Sequence, residues 1–264
     1  MTRRWAWLGV LVVGLLLFEA VRHTLIDTGN PNLVPALILL GAAVVPVTFV
    51  AFIAGRRLQY GVGSATIGLT ALFGGVVGVV TAGTLEYDTL RDLDVVPMIA
   101  VGFIEEAAKL VVPVVLLFVI RPRHPADGLV LGVASGAGFA VLETMGYAFV
   151  VLVESGGNLA AVDGVLLLRG LLSPAAHMAW TGLTAAALWR AAGQGWSART
   201  IGGFVLVFLA AVALHTAWDS IGSTVGFVVL AAISLWLLTY AAHRLGEHQS
   251  RHRSLRPAPG VSPR

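Results

Sequence analysis

Residues 204–233 read FVLVFLAAVALHTAWDSIGSTVGFVVLAAI, two apolar runs joined by a short polar connection. Each run belongs to a segment of about 20 apolar residues, the length that an α-helix needs to cross the hydrocarbon core of a bilayer. His215 and Asp219 interrupt the first run, four residues apart. A charged residue at the centre of such a helix costs about 2.5–3.5 kcal/mol on insertion scales and is usually functional. The stretch therefore predicts two membrane helices, the first with part of a functional site.

The composition extends this prediction to the whole chain. Of the 264 residues, 57% are hydrophobic and only 12% are charged, whereas soluble domains carry about 25% charged residues. Cysteine is absent, which excludes disulfides and thiolate metal sites. We predict an all-α, polytopic membrane protein in contact with lipids, with about eight transmembrane helices. The predicted spans are Trp5–Val21, Leu33–Ala54, Ala65–Leu85, Val95–Ile120, Ala126–Val153, Val165–Trp189, Thr200–Ser220 and Val225–Ala242.

Basic residues predict the orientation of these spans, because they remain on the cytoplasmic side. Thirteen of the 17 Lys and Arg residues lie at one set of helix ends, three lie at the opposite set, and Lys109 lies inside a span. We therefore expect a multi-pass protein of the cell membrane with both termini in the cytoplasm. This bias also explains the isoelectric point near 9.8, so no nucleic-acid partner is needed to account for it.

Ionisable residues inside the bilayer concentrate in the fourth to seventh spans. They are Glu105, Glu106, Lys109, Glu143, His177, His215 and Asp219. We therefore expect three regions: a three-helix membrane segment over 1–94, a catalytic bundle over 95–242 with spans four to seven as its core, and a basic, disordered tail over 243–264.

The depths of these residues in their spans agree with one another. Glu105, Glu143, His177 and His215 lie 5 to 10 residues from the extracytoplasmic ends of their predicted spans, or roughly 8–15 Å at the rise of an α-helix. The four helices would thus bring their ionisable groups into one layer. We expect a site in the extracytoplasmic half of the bilayer.

The charge of this layer needs compensation. Four carboxylates against Lys109 leave a formal −3 with neutral histidines, so either some carboxylates are protonated or a cation is bound. Two histidines with carboxylates suit Zn²⁺. Buried acids with Lys and His also form the proton or ion pathways of transporters. Such a pathway would extend through the whole membrane depth, whereas a single layer favours a hydrolytic site.

Four motifs occur in order along spans four to seven: EEAAK (105–109), GFAVLE (138–143), HMAWTG (177–182) and HTAWD (215–219). With these motifs the chain resembles the PrsW family of intramembrane proteases, and more distantly the CAAX prenyl endopeptidases and bacterial immunity-associated proteases. Thr144 departs from the pattern, since the family often has Asn there. The resemblance implies site-1-type cleavage of a membrane-anchored protein, typically an anti-sigma factor, on its extracytoplasmic side.

The mechanistic hypothesis is hydrolysis by an activated water. Glu105 or Glu106 acts as general base, and Lys109 orients the other carboxylate. We expect Glu143, His177 and His215 to bind Zn²⁺ or polarise the scissile carbonyl, while Asp219 orients His215 or joins the ligands.

Backbone and packing residues give three further expectations. Pro113 and Pro174 lack an N–H, so each should bend its helix and free the carbonyl four residues before it. Small residues favour close helix packing in membranes, which is the role expected for Gly132, Gly136 and Gly138. Two tryptophans near the histidines, Trp180 and Trp218, are expected to pack between helices or to anchor them at the interface.

Overall fold

The computed structural model describes residues 3–56, 58–93, 97–121 and 124–254, and within them all regular structure is helical. Short 3-10 helices precede the first two α-helices and connect the sixth to the seventh. The predicted all-α class is confirmed. The α-helices of this part of the chain are α1 (Ala6–Thr28), α2 (Val34–Gly55), α3 (Ser64–Leu93), α4 (Met98–Val119), α5 (Pro125–Glu154), α6 (Leu159–Leu172), α7 (His177–Gly193), α8 (Ala198–Ser220) and α9 (Thr224–Ser254).

The membrane character of the fold is also confirmed. Seven helical segments of the described chain are long and apolar enough to cross a membrane, with α6 and α7 together forming one of them. The remaining helix, α4, has 22 residues, or about 33 Å at 1.5 Å per residue, and so can also span the hydrocarbon core. It differs from the seven segments in carrying three charged residues near its middle, Glu105, Glu106 and Lys109. The seven segments and α4 correspond to the eight predicted spans.

The sixth predicted span is broken in the middle. Residues Ser173–Ala175 form a 3-10 turn, and Ala176 leaves the helical region with φ −116° and ψ −113°. Pro174 cannot donate the hydrogen bond that would continue α6, so the expected bend is a complete break. The hydroxyl of Ser173 donates to the Arg169 carbonyl oxygen at 2.7 Å. As a consequence, α7 begins at His177.

Helix α5 lies at the centre of the bundle, between α3 and α7, and glycines let these helices approach closely. A Cβ atom on Gly136 would lie 2.5 Å from the carbonyl oxygen of His177, and one on Gly75 of α3 would lie 2.6 Å from the backbone of Gly138. Gly132 likewise meets the backbone of α7. The close-packing role expected for Gly132, Gly136 and Gly138 is confirmed, and it fixes the start of α7 against α5.

Residues 243–254 of the predicted tail continue α9 as helix. Residues 255–264 lie outside the described part. Helices α2 and α3 both pack directly on α5, so the N-terminal segment contacts the predicted catalytic bundle. The division of the chain at residue 94 stays a prediction.

Candidate active site

Helix α4 contributes two acids and a lysine to the interior of the bundle. The Nζ atom of Lys109 lies 2.6 Å from Oε1 of Glu106 and 3.6 Å from Oε2 of Glu105. These distances follow from the i, i+3 and i, i+4 spacings, which place side chains on one helix face. Lys109 and Glu106 are at most 1% exposed, and Glu105 is 8% exposed. The lysine therefore serves both carboxylates, but it holds Glu106 more tightly.

Helix α8 adds His215, whose ring faces carboxylates on both sides. Its Nδ1 atom lies 2.9 Å from Oε1 of Glu106. A carboxylate only accepts hydrogen bonds, so Nδ1 is the donor. In the neutral ring Nε2 then carries the lone pair, 3.5 Å from Oε2 of Glu105 and 3.3 Å from Oδ2 of Asp219. A lone pair facing two carboxylates is an arrangement that a bound cation or proton would stabilise.

Helix α7 adds His177 at its first residue. Its Nδ1 atom lies 2.8 Å from Nζ of Lys109, and its Nε2 atom lies 3.0 Å from Oε2 of Glu143 on α5. A lysine ammonium only donates, so Nδ1 accepts, and in the neutral ring Nε2 carries the hydrogen on the side of Glu143. The two histidine rings contact each other, with centroids 5.2 Å apart.

The structure thus brings all seven predicted site residues into one connected cluster on α4, α5, α7 and α8. Glu105, His177 and His215 lie at its centre, each with one possible ligand atom within 4.8 Å of the others. Glu143 contacts the outer side of the His177 ring, and Asp219 contacts the outer side of the His215 ring. Trp180 packs on His215 with a centroid distance of 5.0 Å, consistent with the packing role expected for it.

Pro113 acts on the cluster through the backbone. Because it has no N–H, the carbonyl oxygen of Lys109 loses its helical partner. The hydroxyl of Ser135 on α5 donates to that oxygen at 2.7 Å, and Ser135 is fully buried. The freed carbonyl expected from the sequence is therefore used to join α4 to α5 beside the lysine.

The central residues fit a divalent cation. Oε2 of Glu105 and Oε2 of Glu106 are buried and make no hydrogen bond. Ligand atoms from one carboxylate and two imidazoles are a set that suits Zn²⁺. His215 also shows the usual arrangement of a metal-binding histidine, in which the second ring nitrogen donates to a carboxylate, here Glu106. To bind the cation, His177 would give up its contact with either Lys109 or Glu143.

A family model described as PrsW family intramembrane metalloprotease matches residues 30–242. The chain belongs to the PrsW family. The matched range contains all seven site residues, from Glu105 to Asp219. Comparisons with curated proteins and with solved structures gave no match. The chain is therefore a multi-pass membrane peptidase of a metalloprotease family, and its substrates are proteins.

Two charged residues of this PrsW-family site were not predicted. Arg169 on α6 lies with a guanidinium nitrogen 2.7 Å from Oε2 of Glu143, and its Cζ is 3.9 Å from the centre of the Tyr147 ring. The arginine falls within the sixth predicted span, but the positive-inside count treated it as a residue of the membrane surface. The feature of the sequence that could have identified Arg169 as a site residue is its position inside an apolar segment.

Glu86 on α3 is the second such residue. Its Oε1 atom is buried without a hydrogen bond, and its charge interacts with Glu143 and Asp219. With Glu86 and Arg169 included, five carboxylates face two cations, a formal −3 with neutral histidines. A divalent cation would reduce this to −1.

A cavity of about 120 Å³ lies beside the cluster of this PrsW-family protease. Its wall includes His177, Arg169 and Thr144. Trp218 and Phe227 bring α8 and α9 to the same cavity, and their rings pack edge-on with centroids 5.0 Å apart. The reactive cluster therefore borders on open space large enough for a small group.

Proposed function

We propose that this protease hydrolyses a peptide bond of a membrane-anchored protein close to the extracytoplasmic surface, in a site-1-type cleavage with an anti-sigma factor as the class of substrate. The observation that carries the proposal is the convergence of Glu105, His177 and His215 from three helices, with ligand atoms within 4.8 Å of one another. The depth of these residues in their spans and the bias of arginines toward the opposite helix ends support the extracytoplasmic location.

Glu105, His177 and His215 are the residues that would hold a divalent cation, for which Zn²⁺ is the proposal. When bound, such an ion supplies Lewis-acid polarisation of a carbonyl and makes a water molecule more acidic. Glu105 replaces Glu143 and Asp219 in this ligand set, because those two carboxylates contact the outer sides of the histidine rings.

Glu105 is the proposed general base. Glu106 already accepts from Lys109 and from His215 through Oε1, and Glu143 is held by Arg169 and His177. Oε2 of Glu105 has no hydrogen bond, and its nearest charged partner, Lys109, is 3.6 Å away. In the site without a cation, Glu105 is the least stabilised of these three carboxylates and therefore the best proton acceptor. A carboxylate has two oxygens, so Glu105 can serve a cation with one and a water proton with the other.

The proposed reaction is hydrolysis of the peptide bond, with Glu105 as the group that carries the proton. Glu105 takes a proton from water while the water oxygen bonds to the scissile carbonyl carbon. The carbon–nitrogen bond breaks as this proton passes to the leaving nitrogen, and the products are a carboxylic acid and an amine. Lys109 and Glu106 act as positioning residues, since Lys109 holds Glu106 at 2.6 Å and Glu106 fixes the ring of His215 at 2.9 Å.

The test compares Glu105→Gln, Glu106→Gln and Glu154→Gln in proteoliposomes that hold the full chain and a single-span model substrate. Loss of a positioned base typically costs about 10²–10⁴-fold in rate, so cleavage should fall by this amount in Glu105→Gln. Glu106→Gln should also lose most of its activity, because His215 loses its carboxylate partner. Glu154 is exposed at the end of α5, so the third variant should cleave like the unmodified protein. Full activity in Glu105→Gln would overturn the assignment of the base.

A further inference from the structure

The cavity beside His177 has no part in the chemistry proposed above. Its wall is contributed by α5, α6, the start of α7, α8 and α9. The apolar part of the wall includes Leu172, Trp218 and Phe227, and the polar part includes Thr144, Arg169 and His177. Leu168, which also lines the cavity, is 62% exposed on the outer surface of the bundle. The space therefore extends from the reactive cluster toward the lipid-facing side.

The position of the cavity relates it to the substrate. His177 belongs both to the cavity wall and to the cluster that contains Glu105. In a peptide the side chain begins two bonds from the carbonyl carbon, so a residue whose carbonyl lies at the cluster must place its side chain within a few ångströms of it. The cavity is the adjoining space that can receive this side chain.

We propose that the cavity is the specificity pocket for the substrate residue next to the scissile bond, and that it selects a medium-sized aliphatic side chain such as Leu, Ile, Val or Met. The inference rests on the proposed function. The volume of about 120 Å³ is smaller than the apolar cavity of about 150 Å³ that binds benzene in an engineered protein. A side chain of Leu, Ile, Val or Met therefore fits within it.

Charge supports the same selection. The guanidinium of Arg169 is on the wall, paired with Glu143 at 2.7 Å, and none of the residues that line the cavity is an acid. A Lys or Arg side chain of the substrate would be desolvated there with no carboxylate on the wall itself to pair with. The pocket should therefore disfavour cationic residues relative to aliphatic ones.

The experiment profiles the bonds that the purified full-length chain cleaves in proteoliposomes. The probe is a mixture of synthetic single-span peptides with varied residues near one membrane surface, and mass spectrometry identifies the products. Phe227→Ala enlarges the pocket and should shift the preference toward Phe and Trp. Leu172→Phe narrows it and should shift the preference toward Ala and Gly. One methylene in an apolar pocket is worth about 10–200-fold in discrimination, so each shift should reach about tenfold.

Phe118→Ala is the matched control, because Phe118 is 64% exposed on α4, and its profile should equal that of the unmodified chain. The two pocket variants change the volume in opposite directions, so a folding defect in one leaves the other decisive. Retained cleavage with an unchanged profile in both would overturn the pocket while leaving the hydrolytic site intact, and the cavity would then hold water or a lipid acyl chain. Full activity of Glu105→Gln would instead overturn the site and leave a shifted profile standing.

Discussion

Glu105 and Glu106 are neighbours in the chain, yet their surroundings differ. Glu106 is fixed by Lys109 and by His215, whereas Oε2 of Glu105 has only contacts of 3.5 Å or longer. Two adjacent residues of a helix point about 100° apart, so the same lysine cannot approach both equally. The proposed division of roles between the two acids rests on the number of donors that each carboxylate already has.

Bound zinc is the first prediction at the residue scale. The purified protein should retain Zn²⁺ after dialysis, and its melting temperature should rise with added Zn²⁺, since a ligand of the native state stabilises by about 2.7 kcal/mol at 100 times its Kd. His215→Ala should lose both effects, because it removes a ligand from the centre of the cluster. His23→Ala is the control: His23 is exposed on α1, where it contacts Asp27. Equal zinc content in the unmodified protein and His215→Ala would contradict the proposed ligand set.

Ser135 and Pro113 give a second prediction. Ser135→Ala leaves the buried Lys109 carbonyl without a donor, which should lower the free energy of unfolding by about 1–3 kcal/mol. In the background of Pro113→Ala the loss should be smaller, because the N–H of residue 113 can then donate to that carbonyl. The coupling is measured by a double-mutant cycle of unfolding in detergent.

The control for this cycle is Ser220→Ala, because the exposed Ser220 hydroxyl also donates to a carbonyl oxygen, that of Thr216, but within its own helix. Its effect should stay within about 0.5 kcal/mol, as for other surface substitutions. Additive effects of Ser135→Ala and Pro113→Ala would show that the two residues do not share the carbonyl.

At the scale of elements, α5 determines where the other helices lie. Gly136→Ala should destabilise the protein by about 1–3 kcal/mol, the usual cost of overpacking, because its Cβ would lie 2.5 Å from the His177 carbonyl oxygen. Gly146→Ala on the same helix has no atom within 4 Å of the new Cβ and should stabilise by about 0.5–1 kcal/mol, since alanine is the better helix former. Thermal unfolding measures both, and equal effects would rule out close packing as the reason for Gly136.

The break between α6 and α7 also determines which side chains meet in the site. Because α6 ends at Leu172 and α7 begins at His177, Arg169 and His177 both reach Glu143. In an unbroken helix, residues eight positions apart are separated by about 12 Å along the axis. The 3-10 turn at Pro174 therefore decides the composition of the site, and it was visible in the sequence only as a proline in an apolar run.

For the whole molecule, orientation in the membrane is the property to test. The chain has no cysteine, so a single introduced cysteine gives an unambiguous label. A membrane-impermeant maleimide should modify Ser155→Cys, between α5 and α6, in intact cells. It should modify Gln194→Cys, between α7 and α8, only after lysis. Both positions are exposed. The opposite pattern would place the site on the cytoplasmic side.

The fold class, the spans and the candidate site residues of this protein could be predicted from the sequence alone. Long apolar segments can satisfy their backbone in lipid only as helices, which is why the all-α membrane class and the spans were predictable. Charged groups are costly in those segments, which is why Glu105, Lys109 and His215 stood out as site residues. Both conclusions depend on whether a segment lies in lipid or in water, and the apolar composition of the segment indicates which.

Tertiary structure alone decided which of these groups touch and in what order. The sequence could not separate Glu105 from Glu106, nor place Arg169 on Glu143, because a side chain's partners depend on the rotation of each helix about its axis. That rotation is set by glycine contacts such as Gly136 with His177 and by the break at Pro174. These are interactions between segments distant in the chain, and no local pattern encodes their geometry.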